Sequence, residues 1–453
     1  MSVRRINGSR SIALAAGLTA ALVGLGAATP RHSVASSGES ECAGFEPYGD
    51  LSGTEVAVYF PNVDPEDQDY ITSFERFERC TGASIEYEGS LELPAQLPVR
   101  VEAGTPPDIA SIPQPGLLAT LVATGSVVPA PVAVSENVDQ FWGGDWRAYG
   151  TVDGTLYGAP LGANVKSLVW YSPSTFADRG YSVPQTYDEL MQLTEQLALD
   201  DPDARPWCVG FGSGDATGWV GTDWLEDMLL RTAGPDVYDS WITHAIPFND
   251  PQVATALARV GEILKNPDYV NGGFGGVETI ATTTFQDAGQ GVLDGSCYLH
   301  RQASFYAAQW PEGTVVAEDG DVFAFYLPAI DATMGNPVLG GGDFIVAFSD
   351  RPEVQAFQSY LSTDTYANDK AIATPQGGWV SANSGLDVAN LTSPIDQLSA
   401  EILQDPEAVF RFDASDQMPS AVGSGTFWRE MVSWITGQSD EDTLDAIEQS
   451  WPD

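Results

Sequence analysis

The chain has 453 residues, with 63 Asp or Glu against 19 Lys or Arg, which gives a formal net charge of −44. So acidic a surface repels DNA, RNA and anionic lipid and disfavours anionic ligands, so we expect no nucleic-acid partner and a neutral or cationic solute. The chain is longer than a domain with a single hydrophobic core usually is, so we predict two lobes or domains.

The N-terminal residues have the pattern of an export signal. Three arginines among the first ten residues precede an apolar run of small residues over 12–28, which is too short and too rich in Gly for a comfortable membrane anchor. We predict a signal peptide over residues 1–35, a linker over 36–41, and a mature protein outside the cytoplasm. No lipid anchor is evident, because the first cysteine, Cys42, does not directly follow the apolar run.

Strands and helices alternate in the first globular stretch. An alternating apolar and polar run predicts a strand, and Tyr70, Phe74 and Phe77 at helical spacing predict a helix. This β-α-β-α-β order is typical of a parallel sheet covered by helices. The predicted elements are strands over 54–60, over 83–88 and from Ile109, with helices over 69–80 and 93–102.

A second informative stretch follows between residues 157 and 190. Residues 157–161 form a short extended run, which Pro160 limits to a sheet edge or a strand end. Residues 167–171 form another strand-like run. Thr186 followed by Glu189 has the pattern of a capping box, so we predict that a helix begins at Tyr187.

Several segments, taken in order, resemble one family: the extracellular solute-binding proteins of carbohydrate ABC importers, family 1, of the maltose-binding-protein type. The resemblance covers Cys42 to the C-terminus, and it depends on the order and spacing of the segments rather than on a single motif. The segments are 74–82, 107–109, 157–190, 248–264, 285–302, 340–348 and Phe427-Trp428. Residues 42–45, 206–208, 216–219, 222–224 and 300–303 further resemble a subgroup that binds α-glucosides.

The resemblance implies an α/β fold, the periplasmic-binding-protein type II fold. Two lobes, each with a mixed or parallel sheet flanked by helices, are hinged around a ligand cleft. Lobe one would hold residues 42–161 plus 343–377, and lobe two residues 162–342 plus 378–453. The chain then crosses between the lobes two or three times, and these connections act as the hinge.

The four cysteines allow three pairings in an exported protein. We favour Cys42–Cys80 and Cys208–Cys297, because each pair then lies within one proposed lobe. The alternative is one disulfide and two buried free thiols.

Three polar residues are candidate ligand contacts. Gln114 follows the third strand, at the carboxyl end of a parallel sheet where ligands usually bind. Asn164 falls at the crossover, where the family often contacts sugar, and Asp343 follows a Gly run that permits close backbone approach. Each has a structural alternative as an ordinary turn or capping residue.

Aromatic side chains are candidate platforms for the faces of a sugar ring. Trp219 lies on a Gly-rich loop that precedes a helix predicted from Trp224, with Thr222 as its N-cap. Each ring could instead serve plain packing, most of all the one inside the helix. The candidates are Trp219, Trp224, Trp379, Phe427 and Trp428.

Arg301 and Gln302 follow a strand predicted over residues 292–299. An Arg at this place can donate two parallel hydrogen bonds to neighbouring hydroxyls. The alternative is a structural ion pair with one of the many acids.

These features predict the extracytoplasmic sugar-binding component of an ABC importer, which captures an α-glucoside or a small oligosaccharide by closure of its lobes. Its partners would be the sugar and the membrane permease subunits, with the ATPase subunits acting indirectly; we expect a monomer. We expect no catalytic residue, cofactor or metal, because the sequence lacks G-x-S-x-G, H-E-x-x-H, a P-loop and CxxC.

Three alternatives stay open at this point. The same fold could bind a cationic or zwitterionic solute such as betaine or a polyamine, held by cation–π contacts. A secreted glycoside-processing enzyme would use paired carboxylates, which cannot be singled out in so acidic a chain. A non-transport envelope protein is the third alternative.

Overall fold

The computed structural model of the protein describes residues 41–271, 275–405 and 407–452. The predicted signal peptide over 1–35 and residues 36–40 of the predicted linker lie outside the described residues. Residues 44–453 form one unit by their internal contacts.

Two main sheets organise this unit. The strands are β1 (Glu55–Phe60), β2 (Ser84–Gly89), β3 (Ile109–Ile112), β4 (Thr151–Val152), β5 (Thr155–Leu156), β6 (Gly158–Val165), β7 (Leu168–Tyr171), β8 (Arg205–Trp207), β9 (Cys297–Arg301), β10 (Phe323–Tyr326), β11 (Asn336–Ala347) and β12 (Ala408–Phe412). The first sheet has the order β12-β11-β3-β1-β2, and β6 also pairs with β11. The second sheet has the order β10-β7-β9-β8, and β4 pairs with β5 in a small ribbon.

Helices flank both sheets. They are α1 (Asp67–Thr81), α2 (Leu93–Glu102), α3 (Pro115–Ala123), α4 (Val132–Phe141), α5 (Gly144–Tyr149), α6 (Pro173–Arg179), α7 (Tyr187–Asp200), α8 (Trp219–Ala233), α9 (Pro235–Ile242), α10 (Pro251–Leu264), α11 (Phe285–Ala288), α12 (Gln290–Asp294), α13 (Pro352–Leu361), α14 (Asp364–Ala373), α15 (Pro394–Gln404), α16 (Ala414–Gln417), α17 (Trp428–Ile435) and α18 (Asp440–Glu448). A π-helical segment, Val422–Phe427, precedes α17. Among the described residues, no helix is both long and apolar enough to cross a membrane.

The predicted β-α-β-α-β order at the start of the chain is confirmed. β1 pairs in parallel with both β2 and β3, and α1 and α2 connect them. Phe74 and Phe77 of α1 pack against Phe357 in a cluster on one face of the first sheet. Leu97 and Leu118 belong to a separate cluster on the other face. The sheet is therefore buried on both faces, as expected for parallel strands.

The capping box at the start of α7 is also confirmed. The Thr186 hydroxyl accepts a hydrogen bond from the Glu189 backbone N–H at 3.2 Å. The Glu189 carboxylate in turn accepts from the Thr186 backbone N–H at 3.3 Å. Two backbone donors at the helix start are thereby satisfied by side chains.

Two predicted elements are wrong at their boundaries. The helix predicted from Trp224 begins at Trp219, and Thr222 is not its N-cap but lies inside the helix, where its hydroxyl bonds the Trp219 carbonyl at 2.9 Å. The strand predicted over 292–299 is β9, Cys297–Arg301, because Val292 belongs to the short helix α12. Gly218, with φ of 116°, begins α8 without a capping side chain, so the usual sequence signal is missing.

The long strands β6 and β11 run antiparallel and join the two sheets. Pro160 lies inside β6, and within the described sheets β6 pairs with β11 alone. One side of β6 therefore has no neighbouring strand, so the missing N–H of Pro160 breaks no hydrogen bond to a second strand. The register shifts between Asp343 and Phe344, where the partner residues are Gly162 and Pro160. This bulge re-aims the side chains beside it.

The two main sheets are compatible with an organisation in two lobes. The predicted lobe boundaries stay a prediction. Three segments depart from the simple division. Residues 162–165 of β6 and 336–342 of β11 fall in the predicted lobe two but belong to the first sheet, and β12 does the same. β12 lies within residues 378–453, which we assigned to lobe two, yet it pairs in parallel with β11 in the first sheet. The C-terminal segment therefore contributes to both sides of the molecule.

All four cysteines lie in the described part of the chain, and none has a free thiol. Cys208 and Cys297 form a disulfide with Cα atoms 5.7 Å apart, which fastens the end of β8 to the start of β9. Cys42 and Cys80 each take part in a disulfide as well. The alternative with two free thiols is therefore wrong.

The capping box gives a test of the fold around α7. Thr186→Ala should lower the free energy of unfolding by about 1 kcal/mol, because the Glu189 N–H loses its acceptor. Urea denaturation followed by circular dichroism measures the change. Thr186→Ser keeps the hydroxyl and should stay close to wild type; an equal loss in both variants would contradict the capping role.

Candidate functional site

A cavity of about 200 Å³ lies between the two sheets. Its wall combines residues from elements on the first sheet with residues from elements on the second. Six of the predicted site residues line it: Gln114, Asn164, Trp219, Asp343, Trp379 and Trp428. The structure thus brings together residues that lie more than 300 positions apart in the chain.

Two amides reach the cavity from the first sheet. Gln114 comes two residues after β3 ends, and its side chain is buried. Asn164 lies in β6, opposite Gly341 of β11. The Oε1 atom of Gln114 and the Oδ1 atom of Asn164 are buried without a hydrogen-bond partner among the described residues. Both oxygens therefore keep an unused acceptor capacity beside the cavity.

Asp343 sits at the bulge of β11 and lines the same wall. Burial raises the pKa of this carboxyl from its usual 3.8 to about 7; the negative charge of Glu66 adds to the rise, while Lys166 and Lys370 oppose it. A carboxyl with this pKa can accept hydrogen bonds when ionised and donate one when protonated.

Trp379 is held in place by a glycine turn. Gly377 and Gly378 have φ of 85° and 106°, a region that side chains other than Gly rarely adopt. The Asp396 carboxylate accepts a hydrogen bond from the Gly378 N–H at 2.8 Å. A Cβ atom on Gly162 of β6 would stand only 2.8 Å from the indole Nε1 of Trp379, so Gly162 is what lets the ring lie against the strand.

Trp219 is the first residue of α8 and is half-buried. Its ring makes an edge contact with Phe285 at 5.2 Å and a tilted contact with Phe305 at 6.0 Å, and both rings also line the cavity. The Lys166 ammonium lies 5.3 Å from the Trp219 ring centroid. The second sheet therefore contributes an aromatic wall with one cation already on it.

Lys166 is the centre of a buried charge network in the wall of the cavity. Its ammonium lies 2.9 Å from an Asp223 oxygen and 2.5 Å from an Asp413 oxygen. Burial and the mutual repulsion of the acids raise the pKa of Asp223 to about 7 against the opposing effect of Lys166. For Asp413 the burial cost is overcome by Lys166 and by hydrogen bonds, and its pKa falls to about 2.

Three carboxylates of this network, from Asp223, Glu226 and Asp413, place oxygens within 4.8 Å of one another. Such a set is chemically able to hold a cation. However, Lys166 already compensates two of them, and Glu226 accepts from the Ala414 and Ser415 N–H groups at 2.9 and 3.1 Å. We therefore interpret the set as a structural ion network.

A second buried lysine, Lys370 of α14, lies on the opposite wall. Its ammonium is 4.1 Å from the Tyr70 ring centroid and donates to the Thr374 hydroxyl at 2.8 Å. Burial lowers its pKa from the usual 10.5 to about 8, although Asp69, Glu66 and other acids oppose this. Lys370 therefore stays largely protonated at neutral pH.

Four predicted site residues do not line the cavity. Trp224 lies one turn inside α8 and packs on Trp207 at 5.5 Å. Arg301 is fully buried and pairs with Asp227 at 2.8 Å, which is the structural alternative weighed above.

The other two are also held by protein contacts. Gln302 is buried, and its Oε1 accepts from the Ala303 N–H at 2.8 Å. Phe427 precedes α17 and packs against Trp241 and Phe248, with ring centroids 5.7 and 4.9 Å away. Only its neighbour Trp428 reaches the cavity.

Sequence reasoning missed several lining residues. Tyr70 was assigned to a core-facing stripe, and the acids could not be told from the many others. Lys370 belongs to a helix with no distinguishing motif, although lysine is rare enough in this chain to have been a signal. The missed residues include Asn62, Glu66, Asp69, Tyr70, Phe305, Lys370 and Asp416.

The buried acids predict an unusual pH dependence of stability. Asp343 and Asp396 each have a pKa raised to about 7, in both cases chiefly by burial. The stability that such a group contributes is fully present below its unfolded pKa near 3.8 and is lost as pH rises through about 7. His300, with its pKa lowered to about 4 by burial, acts in the opposite direction but is a single group.

We therefore expect the melting temperature to be higher at pH 5 than at pH 8. Asp343→Asn should flatten the dependence by at most about 1.4 kcal/mol per pH unit between pH 4 and 7, because one titrating group is removed. The matched control, Asp319→Asn, removes an exposed carboxylate and should leave the slope as in wild type. A slope that Asp343→Asn does not alter would contradict the assigned pKa.

Comparison with known proteins places the chain in a family. The family model of the bacterial extracellular solute-binding proteins matches residues 64–368. The osmoprotective compounds-binding protein GgtB of Synechocystis sp. is 39% identical over 416 residues, which cover 91% of this chain and 96% of that protein. The alpha-glucosides-binding periplasmic protein AglE of Rhizobium meliloti is 38% identical over 413 residues, which cover 89% of this chain and 88% of that protein.

Solved structures agree on the fold. The bacterial solute receptor AcbH has a TM-score of 0.74 at 17% identity, with 88% of this chain and 97% of that one covered. Maltose-bound MalE3 of T. maritima has a TM-score of 0.68 at 14% identity, with 87% and 98% covered. The predicted type II binding-protein fold is therefore confirmed. Solute-binding proteins of ABC importers work with membrane permease and ATPase subunits. The chain belongs to the bacterial extracellular solute-binding proteins and is the solute-binding component of such an importer.

Proposed function

We propose that this protein captures a neutral sugar, an α-glucoside or a small oligosaccharide, and delivers it to the permease. The cavity between the two sheets is the binding site in this proposal. The ligand's hydroxyls meet the polar side chains of the wall, and its ring faces meet Trp219, Trp379 and Trp428.

Five buried polar atoms of the cavity wall carry the proposal. Three are acceptors: Oδ1 of Asn62, Oε1 of Gln114 and Oδ1 of Asn164. Two are donors: the indole N–H groups of Trp379 and Trp428. None has a hydrogen-bond partner among the described residues, and leaving buried polar groups unpaired is costly. In this proposal a ligand that pairs with them offers both donors and acceptors, and a hydroxyl group offers both.

The second candidate is a cationic or zwitterionic solute such as betaine or a polyamine. The acids on the wall favour it, and the similarity to a protein that binds osmoprotective compounds is compatible with either a zwitterionic or a neutral solute. Against it, a quaternary ammonium has no hydrogen to donate to the three unpaired acceptors. Lys166 and Lys370 also already hold cation positions near the Trp219 and Trp379 rings, at 5.3 and 5.9 Å. A neutral polyol fits the set better.

Capture by closure is supported by hydrogen bonds between elements of the first sheet and elements of the second. Gln309, which follows β9 of the second sheet, donates a side-chain hydrogen bond to Glu66, which precedes α1 of the first. The Asp215 N–H donates to Glu92 at 3.3 Å across the same divide. These contacts would be made only with the lobes together, so a ligand held by both walls favours the closed form by its differential affinity. Export by the predicted signal peptide would bring this site to the outer face of the membrane.

A ligand panel tests the proposal. The protein without residues 1–35 is melted at low and high salt with maltose, trehalose, sucrose, palatinose, maltodextrins, glycine betaine and putrescine. A true ligand at a hundred times its Kd should add about 2.7 kcal/mol of stability. We expect this shift with a neutral α-glucoside. A shift with betaine or an amine alone, and with no sugar, would leave the family assignment intact and overturn the sugar.

The aromatic wall gives a second test. Trp219→Ala should weaken binding of the sugar found in the panel about ten- to hundredfold, because removing one large apolar contact costs about 1.5–3 kcal/mol. Isothermal titration calorimetry measures the change. Trp451→Ala is the matched control, since Trp451 is also half-buried but stacks on His244 at 4.2 Å and does not line the cavity. Equal affinities of Trp219→Ala and wild type would exclude stacking on Trp219.

A further inference from the structure

We infer that Lys370 determines the charge class of the ligand, because its ammonium fills a cation cage in the wall and so excludes cationic solutes. The inference rests on the cavity being the binding site, as proposed above. It assigns Lys370 as a specificity-determining residue for the transported solute.

The position of Lys370 is that of a bound cation. Its Nζ atom lies 4.1 Å from the Tyr70 ring centroid and 5.9 Å from that of Trp379. Both distances fall within the range in which an ammonium is attracted to a ring face. The residue is only 2% exposed, yet it lines the cavity together with both rings.

Carboxylates complete the cage. Glu66, Asp69 and Asp343 line the same wall, and Asp396 stands behind the Trp379 turn. All four charges act on the Lys370 ammonium and oppose the loss of its proton. Among the described residues, however, none comes within 4.0 Å of it, and its one recorded hydrogen bond goes to Thr374. The ammonium is therefore stabilised by the field of the cage rather than by one ion pair.

Two rings and several carboxylates around a buried pocket are what proteins use to bind ammonium and quaternary ammonium groups. Without Lys370, this wall would attract such a solute. With Lys370 in place, an incoming cation meets a like charge at short distance in a poorly screened site. A neutral polyol meets no such penalty and can still use the neighbouring amides.

The test is Lys370→Met, which keeps the side chain as far as the Cε position and removes the charged Nζ atom. Binding of glycine betaine, tetramethylammonium and putrescine is measured by calorimetry in moderate salt, beside the sugar identified in the panel. We expect no cation binding by wild type and at least a tenfold gain in cation affinity in the variant. Lys370→Arg keeps a positive charge and should still exclude cations.

Lys265→Met is the matched control. Lys265 also stacks on a ring, that of Trp434 at 4.3 Å, and pairs with Asp440 at 3.2 Å, but it lies outside the cavity. Its loss removes one positive charge and one cation–π contact from the same acidic protein. It should not create cation binding, so a gain in both variants would reveal nonspecific attraction and overturn the inference.

A folding defect in Lys370→Met can be handled by rescue. The smaller variant Lys370→Ala is refolded and melted with n-propylammonium, which can replace the missing side chain, or with n-propanol. A rise in melting temperature with the amine alone supports the cage. No rise with either compound, while Lys370→Arg folds normally, would overturn it.

The remaining outcomes separate this inference from the proposed function. Betaine or amine binding by wild type would overturn it, and so would a folded Lys370→Met that binds sugar but no cation. If wild type binds no sugar while Lys370→Met gains cation binding, the inference stands and the sugar proposal fails.

Discussion

The site depends on one interaction: the Lys166 ammonium compensates the buried carboxylates of Asp223 and Asp413. This lysine follows β6, the strand that joins the two sheets, and precedes β7 of the second sheet. Its ammonium holds Asp223 of α8 and Asp413 at the end of β12. Three distant parts of the chain thus meet at one cation. Removing one partner of a buried pair leaves an uncompensated charge, which is far more costly than losing a surface pair. This part of the cavity wall is therefore fixed by charge as well as by packing.

The net charge of the chain explains why the lysines lie where they do. A protein with 63 acids and 19 basic residues draws cations toward its whole surface. Two of its three lysines, Lys166 and Lys370, nevertheless line the cavity and are buried. A cavity with several carboxylates in so acidic a protein would otherwise be a general trap for cations. Positive charges supplied by the chain make the interior different from the surface, and this favours a neutral ligand over the counter-ions that surround it.

The sequence predicted the fold well where local signals and order agreed. The alternation around α1 and the capping box at Thr186 are local, so they could be read directly. The family resemblance supplied the second sheet and nominated Asn164, whereas Gln114 and Asp343 were nominated by their places after a strand and after a Gly run. The first residue of a helix without a side-chain cap cannot be identified from the sequence. The predicted start of α8 at Trp224 is therefore wrong, and the helix begins at Trp219. This boundary matters because Trp219, at the helix start, lines the cavity, whereas Trp224, about one turn later, packs in the core.

The buried polar residues show a different limit of sequence reasoning. Arg301 and Gln302 end a strand whose residues are all buried, so no alternation tells which face a side chain takes. Lys370 was missed because its function depends on Tyr70, Trp379 and the acids around them, which come together only in the tertiary structure. A pattern in one segment can nominate a hydrogen-bonding residue, but it cannot show that the chain already fills a cation site with its own ammonium. The chemical class of the ligand is therefore a property of the assembled wall, where unpaired acceptors and donors remain after the chain has satisfied its own charges.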